Sequence, residues 1–326
     1  MAIEINPLCE ALGAEVTGAD LSGPLSADDA RIVEAAFFEH CLLCFRSEPL
    51  SAADFARVAG YFGETQPQLL RNQRDGEVAE VSILESTYKK PEDKPEDLSE
   101  VRLSGWHTDD SYFQVPAKGT MLQSIVIPDS GGQTKFSNTY KAYQAMPEEK
   151  RREMDGLMAV HGYDTTRAPG RPKKRTQEEI DETPEVVHPL VRTHEDTGRK
   201  AFFFNSNRTD RIVDWDRAKS DELLDEVHAQ ITKPEYQYHH EWRVGDLLLS
   251  DNRCLVHAVN TDYPVGQKPL HQPILLKGTQ PVCWRARAHS IDSRPRSSYE
   301  LHARADRGRA DSLALLCDGR HTRTIW

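Results

Sequence analysis

The chain has 326 residues, of which 38% are hydrophobic and 29% are charged, a composition typical of a soluble globular protein. Its formal net charge of −11 argues against nucleic acid or an anionic membrane as the main partner, because a wide anionic field repels both. No apolar run approaches the roughly 20 residues of a membrane helix, and the N-terminus has no secretory signal pattern. We therefore expect a cytoplasmic protein without a membrane or nucleic-acid partner.

The N-terminal third mixes helices with strands. Residues 26–40 and 51–63 each begin with a serine that can cap a helix, followed by acidic residues and apolar spacing, and the second stretch stops at a glycine. Between them, Cys41 and Cys44 form a C-x-x-C within an apolar run. Without a second cysteine pair, this favours a buried strand with free thiols over a zinc site.

The middle of the chain predicts one helical stretch and two loops. Residues 139–157 have helical spacing, whereas 85–100 is charged with two prolines and directly precedes the most informative motif. We expect 85–100 to be a mobile loop beside the site, either a lid or a solvated loop with no role. Residues 164–184 are basic and then acidic, and we expect them to be poorly ordered.

From about residue 186 the pattern changes to short β-rich runs separated by turns. Several short strands around one core indicate a mostly β fold with helices covering the outside. We expect one domain over residues 1–326, with a core at about 8–282. The extension 283–326 is charged and rich in arginine. Its sequence is compatible with a docking tail or with a subunit contact, so a homo-oligomer is one option.

A His-x-Asp motif lies in "WHTDD", where His107 and Asp109 would point the same way from a strand and close two positions on one ion. His257 is the candidate third ligand, because "GDLLLSDNRCLVHAV" predicts a rigid strand–turn–strand hairpin that carries it. Two imidazoles and one carboxylate form the facial triad of mononuclear non-haem Fe(II) oxygenases. A catalytic zinc can use the same set, so the ligands alone leave the metal open.

Six segments in order resemble one family, the taurine dioxygenase/2,4-dichlorophenoxyacetate dioxygenase family of Fe(II)/2-oxoglutarate oxygenases, over about residues 8–282. The segments are "LCEALGAEVTGADLS", "CLLCFRS" with "VAGYFGE", "WHTDDSY", "GGQTKFSNTYKAYQAM", "TGRKAFFFNSNRTDRIVDW" and "WRVGDLLLSDNRCLVHAVNTDY". The resemblance implies a double-stranded β-helix (jelly roll, cupin-like). It also implies Fe(II) held by His107, Asp109 and His257, with 2-oxoglutarate and O₂ as cosubstrates. Thr134 falls where the family binds the far carboxylate of 2-oxoglutarate.

The chain departs from the family beyond the distal histidine, where arginines usually stand 11 and 15 residues later. Here position 268 is Lys and position 272 is Gln. Three alternatives stay open: Lys268 carries the cosubstrate carboxylate with Thr134, Arg285 or Arg287 reaches in from the next strand, or the protein uses another 2-oxo acid or none. If Gln272 faces the substrate, the substrate group there is not a strong anion, because an amide cannot neutralise one.

The expected function is oxidation, most simply hydroxylation, of a C–H bond in a small molecule. A carboxylate at Asp109 holds the position that a halide would need, which favours hydroxylation over halogenation. Asp110 and Phe203, one of three consecutive phenylalanines, are candidate substrate contacts. Two alternatives remain: an iron oxygenase that does not use 2-oxoglutarate, and a non-catalytic binding protein on the same fold.

Overall fold

The computed structural model describes residues 2–85, 105–168, 175–267 and 269–283, all within one compact unit. The predictions for residues 86–100, for Lys268, for Arg285 and Arg287, and for the extension after 283 lie outside these ranges. Within them, no helix is long and apolar enough to cross a membrane. A single domain over 1–326 stays a prediction.

The described residues form a mostly β structure with several sheets and six α-helices. The helices are α1 (Ala27–His40), α2 (Ala52–Gly60), α3 (Thr139–Gln144), α4 (Glu148–Met154), α5 (Gln177–Asp181) and α6 (Arg217–Ile231). The strands are β1 (Glu4–Pro7), β2 (Ala14–Thr17), β3 (Leu42–Phe45), β4 (Thr65–Gln66), β5 (Leu84–Glu85), β6 (Gly119–Val126), β7 (Thr134–Asn138), β8 (Met158–His161), β9 (Val186–Pro189), β10 (Val191–Thr193), β11 (Lys200–Phe202), β12 (Thr209–Ile212), β13 (Gln237–His240), β14 (Leu247–Asp251), β15 (Leu255–Val259) and β16 (Leu270–Leu276).

An eight-stranded sheet in the order β1-β2-β3-β14-β6-β16-β4, with β5 also paired to β16, forms the main layer. One face packs under α1 and α2 in a continuous apolar cluster. The predicted serine caps of both helices are confirmed: Ser26 accepts a hydrogen bond from the Asp29 amide, and Ser51 accepts one from the Asp54 amide. Helix α2 ends at Gly60, earlier than the predicted glycine stop.

The opposite face of the main sheet meets a three-stranded sheet in the order β13-β7-β15, and an apolar cluster fills the space between them. Residues of one face of β6 and β14, Leu122 and Leu248, pack there with Phe136 of β7. The strands β12-β8-β9 and β10-β11 form two smaller sheets.

The predicted hairpin around His257 is wrong in its pairing. Both strands exist, but β14 pairs with β3 and β6 in the main sheet, whereas β15 pairs with β7 in the smaller one. The chain crosses between sheets at Asp251, whose buried carboxylate accepts hydrogen bonds from His194 and Arg253. Burial alone would raise the pKa of Asp251, but these two partners outweigh it and hold that pKa well below its usual range.

Two other expectations change in detail. The predicted helix over 139–157 is two helices, α3 and α4, with Pro147 at the cap of the second, because proline cannot continue the first. The loop 164–184 was expected to be poorly ordered, which is wrong for its described C-terminal part. There Thr176 and Glu179 form a capping box that starts α5.

The C-x-x-C prediction is confirmed. Cys44 lies in β3 and Cys41 directly precedes it, and both thiols are buried and free. Burial raises the pKa of the Cys44 thiol to about 12.

Candidate metal centre

The two histidines of the predicted triad are joined through their backbones. The His107 amide donates to the His257 carbonyl over 2.9 Å, and the His257 amide donates to the His107 carbonyl over 2.7 Å. This bridge is isolated, and Asp109 follows in a turn, so the expectation that His107 and Asp109 share a strand is wrong. The single bridge nevertheless sets the imidazole of His107 beside that of His257 on β15.

The side chains of His107, Asp109 and His257 converge on one point. The ring Nε2 atoms of His107 and His257 lie 3.9 and 3.8 Å from Asp109 Oδ1, and the two ring centroids are 4.2 Å apart. One ligand atom from each residue lies within 4.8 Å of the others. The three atoms are too far apart for hydrogen bonds and close enough to share one divalent ion.

The tautomer of His107 is set by its own chain. Its Nδ1 lies 2.8 Å from the carbonyl oxygen of Gly105, which can only accept, so Nδ1 carries the proton and Nε2 presents its lone pair. Burial, followed by the neighbouring His257, lowers the pKa of His107 to about 4. The ring is therefore neutral at pH 7, the form that binds a metal.

The carboxylate of Asp109 is oriented by a chain of polar side chains on the main sheet. The Thr120 hydroxyl donates to Asp109 Oδ2, and the Asn252 amide donates to that hydroxyl oxygen over 2.9 Å. The Thr108 hydroxyl donates to the Asn252 carbonyl over 2.7 Å, which fixes the ligand segment to the β14–β15 crossing. Oδ1 is left facing the two imidazoles.

Asp110 is 5% exposed and adopts a left-handed backbone conformation with φ of 57°. Its carboxylate accepts hydrogen bonds from Gln66 Nε2 and from the Tyr112 hydroxyl, each over 2.9 Å. Burial, with the adjacent Asp109, raises its pKa to about 7. Asp110 thus lies beside the triad, as its predicted role requires, but its oxygens already have protein partners.

Thr134, at the start of β7, is 3% exposed, and its hydroxyl oxygen accepts a hydrogen bond from the Trp242 indole over 3.1 Å. The indole packs between the rings of His240 and His271, with both centroid distances at 4.7 Å. This packing fixes the indole, and through it the rotamer of Thr134.

Gln272 does not reach the triad. It lies on the face of β16 that carries Ile274 in the helix-covered core, and its Oε1 accepts a hydrogen bond from Gln123 over 2.8 Å. Thr120, which bonds to Asp109, and Leu122, which packs between the sheets, belong to the other face of the main sheet.

Phe203 is 1% exposed, and its ring stacks on His161 and meets His188 edge-on. The His188 ring reaches the Phe113 carbonyl over 2.9 Å, a few residues beyond the metal ligands. Phe202 and Phe204 face the other way, into a separate apolar cluster. Phe203 therefore supports the segment that follows the triad rather than contacting the triad itself.

The sequence reasoning missed several polar residues that the fold brings to the site. Their contacts are made between distant segments, although Trp242 and Asn252 both lie in the recognised segment that carries His257. These residues are Gln66, Thr120, Trp242, Asn252 and His271.

A second His–Asp cluster lies between β3, β13 and β14, and it differs from the triad. Cys44, His240 and Asp246 also offer three ligand atoms within 4.8 Å of one another. However, His240 Nε2 is hydrogen-bonded to Asp246 Oδ2 over 3.0 Å, and Arg46 pairs with the same oxygen over 2.6 Å. A guanidinium on the carboxylate disfavours a cation there, so this cluster is an ion-pair network.

Comparisons with known proteins identify the family of this chain. The family model described as "Taurine catabolism dioxygenase TauD, TfdA family" matches residues 4–273. The alpha-ketoglutarate-dependent 2,4-dichlorophenoxyacetate dioxygenase of Cupriavidus pinatubonensis is 33% identical, over 79% of this chain and 92% of its own. The (S)-phenoxypropionate/alpha-ketoglutarate-dioxygenase of Sphingobium herbicidovorans is 31% identical, over 82% and 92%.

Solved structures show the same fold. AAD-2 in complex with Mn(II) and N-oxalylglycine superposes with a TM-score of 0.71 at 27% identity, over 86% of this chain and 99% of its own. A taurine dioxygenase from Burkholderia xenovorans gives 0.71 at 24% identity, over 87% and 92%. The chain belongs to the taurine catabolism dioxygenase TauD, TfdA family.

Proposed function

We propose that the protein hydroxylates a C–H bond of a small molecule at the His107, Asp109 and His257 centre. Its family membership makes it a non-haem dioxygenase that depends on Fe(II), 2-oxoglutarate and O₂. In the balanced reaction, R–H, 2-oxoglutarate and O₂ give R–OH, succinate and CO₂. One oxygen atom enters the product and the other enters succinate.

The observation that carries the proposal is the geometry of the triad. Two imidazoles and one carboxylate direct their ligand atoms at one point, with the Gly105 carbonyl orienting His107 and the Thr120 hydroxyl orienting Asp109. Three ligands leave three positions of an octahedral ion, enough for a bidentate 2-oxo acid and O₂. Fe(II) bound there would supply O₂ activation and would polarise the 2-oxo acid.

The fold suits this role. We infer a double-stranded β-helix, supported by the main sheet facing β13-β7-β15 and by the likeness to family structures. The triad lies where β15 of the smaller sheet meets the segment leading to Thr120 of the main sheet. Two rigid sheets thus hold the ligands from opposite sides.

Thr134 supports binding of 2-oxoglutarate at its far carboxylate. An indole N–H can only donate, so the Thr134 oxygen accepts the hydrogen bond from Trp242, and within the described ranges nothing accepts the Thr134 O–H hydrogen. Thr134 can therefore donate that hydrogen to a carboxylate. Lys268 stays the predicted cation for this carboxylate, with Arg285 or Arg287 as alternatives.

The substrate is proposed only as a small molecule. The relatives' names specify 2,4-dichlorophenoxyacetate and (S)-phenoxypropionate, which supports an organic molecule with an oxidisable C–H bond near the metal. Asp110 and Phe203 stay predicted substrate residues, and the contacts described here support Asp110 more directly than Phe203. A cytoplasmic location stays a proposal.

An anaerobic titration tests the function. Fe(II) and then 2-oxoglutarate are added to the purified protein, and a visible charge-transfer band is expected from the chelate, followed by succinate formation in air. Asp109→Ala, which lacks the only carboxylate of the triad, should give no band. Iron binding without a band at high 2-oxoglutarate would instead support an oxygenase that uses no 2-oxo acid, and no iron binding would support a binding protein.

A further inference from the structure

Strand β16 sends one polar side chain into the space between the two sheets. His271 pairs with Ser124 and Pro273 with Leu122, and Leu122 packs in the cluster between the sheets. Side chains alternate along a strand, so His271 faces the interior while Gln272 faces the helix-covered side. The His271 ring lies 4.7 Å from the Trp242 ring, on the indole that donates to Thr134.

The ring Nε2 of His271 is shielded from solvent and has no hydrogen-bond partner among the described residues. Burial, followed by the neighbouring His240, lowers the pKa of His271 to about 4, so the imidazole is neutral at pH 7. A buried polar atom without a hydrogen-bond partner destabilises the folded protein. Such an atom in a native protein calls for an absent partner.

The side chains around Thr134 indicate which chemical group this partner is. Thr134 offers a single O–H, and a carboxylate accepts several hydrogen bonds. The described part of β16 contains no arginine, and Gln272 is engaged with Gln123 on the other face. His271 is therefore the donor on β16 that faces the same interior as Thr134.

We propose that the Nε2–H of His271 donates a hydrogen bond to the distal carboxylate of 2-oxoglutarate, beside the hydroxyl of Thr134. This inference rests on the proposed function. Trp242 positions both donors: its N–H donates to the Thr134 oxygen, and its ring packs against the His271 imidazole with the centroids 4.7 Å apart. In this chain, two neutral donors bind part of an anion for which the family uses arginine.

Comparing the affinities for two 2-oxo acids, one with and one without the distal carboxylate, distinguishes this hydrogen bond from a general effect of packing. 2-Oxoglutarate and 2-oxopentanoate, which has a methyl in place of the distal carboxylate, are titrated anaerobically into the Fe(II)-loaded full-length protein. The charge-transfer band gives the dissociation constant of each. His271→Phe keeps a ring of similar size without a donor, His271→Gln restores an N–H, and exposed His239→Phe on β13 is the matched control.

His271→Phe should bind 2-oxoglutarate about tenfold or more weakly, as expected for one hydrogen bond to a charged group. Its affinity for 2-oxopentanoate should change less than twofold, His271→Gln should recover part of the loss, and His239→Phe should match the wild type. Unchanged 2-oxoglutarate affinity in His271→Phe, or an equal loss for both acids, overturns the inference. If the wild-type protein gives no band with 2-oxoglutarate and none with 2-oxopentanoate, the proposed function is contradicted instead.

A second measurement observes the contact directly in the wild-type protein and uses a variant only to assign the resonance. In wild-type protein loaded with Zn(II) and labelled with ¹⁵N-histidine, N-oxalylglycine should shift one imidazole Nε2–H resonance downfield, and that resonance should be missing from His271→Gln. No shifted imidazole resonance contradicts the proposed contact.

Discussion

Two His–Asp clusters in this molecule have similar composition and opposite states. In the triad, the Nε2 atoms of His107 and His257 lie 3.9 and 3.8 Å from Asp109 Oδ1, beyond hydrogen-bond distance. In the cluster around Asp246, His240 closes to 3.0 Å and Arg46 to 2.6 Å on one carboxylate oxygen. The triad therefore keeps lone pairs available, whereas the protein itself satisfies the other cluster.

The difference separates a ligand site from a structural network by hydrogen bonding rather than by residue type. In the triad, the Gly105 carbonyl orients His107 and the Thr120 hydroxyl orients Asp109, while the ligand atoms themselves lie too far apart to hydrogen-bond to one another. The Asp246 network is closed on every side that the described contacts show. Substitutions in the first should change metal binding, and substitutions in the second should change stability.

The largest effect is expected from His257→Ala, which removes a ligand whose side chain has no hydrogen bond to any residue that the structure describes. Fe(II) binding should fall below detection and product formation should drop at least about a thousandfold. The metal-free protein should melt within a few degrees of the wild type. A variant that keeps the chelate band would remove His257 from the triad, and His239→Ala serves as the exposed control.

Asp246→Asn should have the opposite profile. It leaves the buried His240 and the partly buried Arg46 without their carboxylate, so unfolding free energy should fall by about 3 kcal/mol in urea denaturation. The matched control, Glu64→Gln, breaks an exposed pair with Lys277 and should cost less than about 1 kcal/mol. Equal losses for the two variants would contradict a network role for Asp246.

His188 is a buried histidine that, unlike His240, contacts no carboxylate among the described residues. Burial, together with Arg192, lowers the pKa of His188 to about 4, below its ordinary value of 6.5. Between about pH 6.5 and 4, His188 is protonated in the unfolded chain but still neutral in the folded protein. Protonation therefore favours the unfolded state, and the unfolding free energy falls as the pH is lowered through this range.

The loss assigned to His188 is about 2–3 kcal/mol. His188→Gln should flatten the fall in unfolding free energy of the metal-free protein across this window. Denaturant titrations at pH 7, 5.5 and 4.5 measure it. A slope equal to that of the wild type would mean that His188 does not titrate as its burial requires.

The smallest effect is expected from Thr120→Val, which leaves Asp109 an oxygen ligand but removes its orienting hydroxyl. Fe(II) affinity should fall about tenfold, typical of a group that orients a metal ligand. Global stability should change little beyond the loss of one hydrogen bond from Asn252. Thr232→Val, at the partly exposed end of α6, is the control. If Thr120→Val and Thr232→Val bound Fe(II) with equal affinity, Thr120 would not orient Asp109.

Local patterns were enough to predict the helix caps, the β-rich second half and the three residues that converge as the candidate triad. Serine caps act within one turn, and His107, Asp109 and His257 lie in recognisable motifs. The pairing of β14 and β15 could not be read in this way, because a strand–turn–strand sequence does not show that the chain changes sheet at Asp251. Only the long-range contacts of that carboxylate reveal the crossing.

The cosubstrate end was the least predictable. Counting residues from His257 drew attention to Gln272, but the face that a strand residue presents depends on pairing with β6. The same pairing places His271 inward. Trp242 joins it to Thr134 across more than a hundred residues, so no local pattern could associate these three side chains.

The backbone bridge between His107 and His257 also bears on metal selectivity. Two main-chain hydrogen bonds, rather than flexible side chains, fix the spacing of the imidazoles. The distance between the two ligand nitrogens should therefore be nearly the same for Mn(II), Fe(II), Co(II), Ni(II) and Zn(II). Affinity for these ions should then follow the Irving–Williams order, in which Fe(II) is outcompeted by Ni(II) and Zn(II). Correct metallation would depend on the metal supply of the cell, and mismetallation would be the characteristic route to an inactive enzyme.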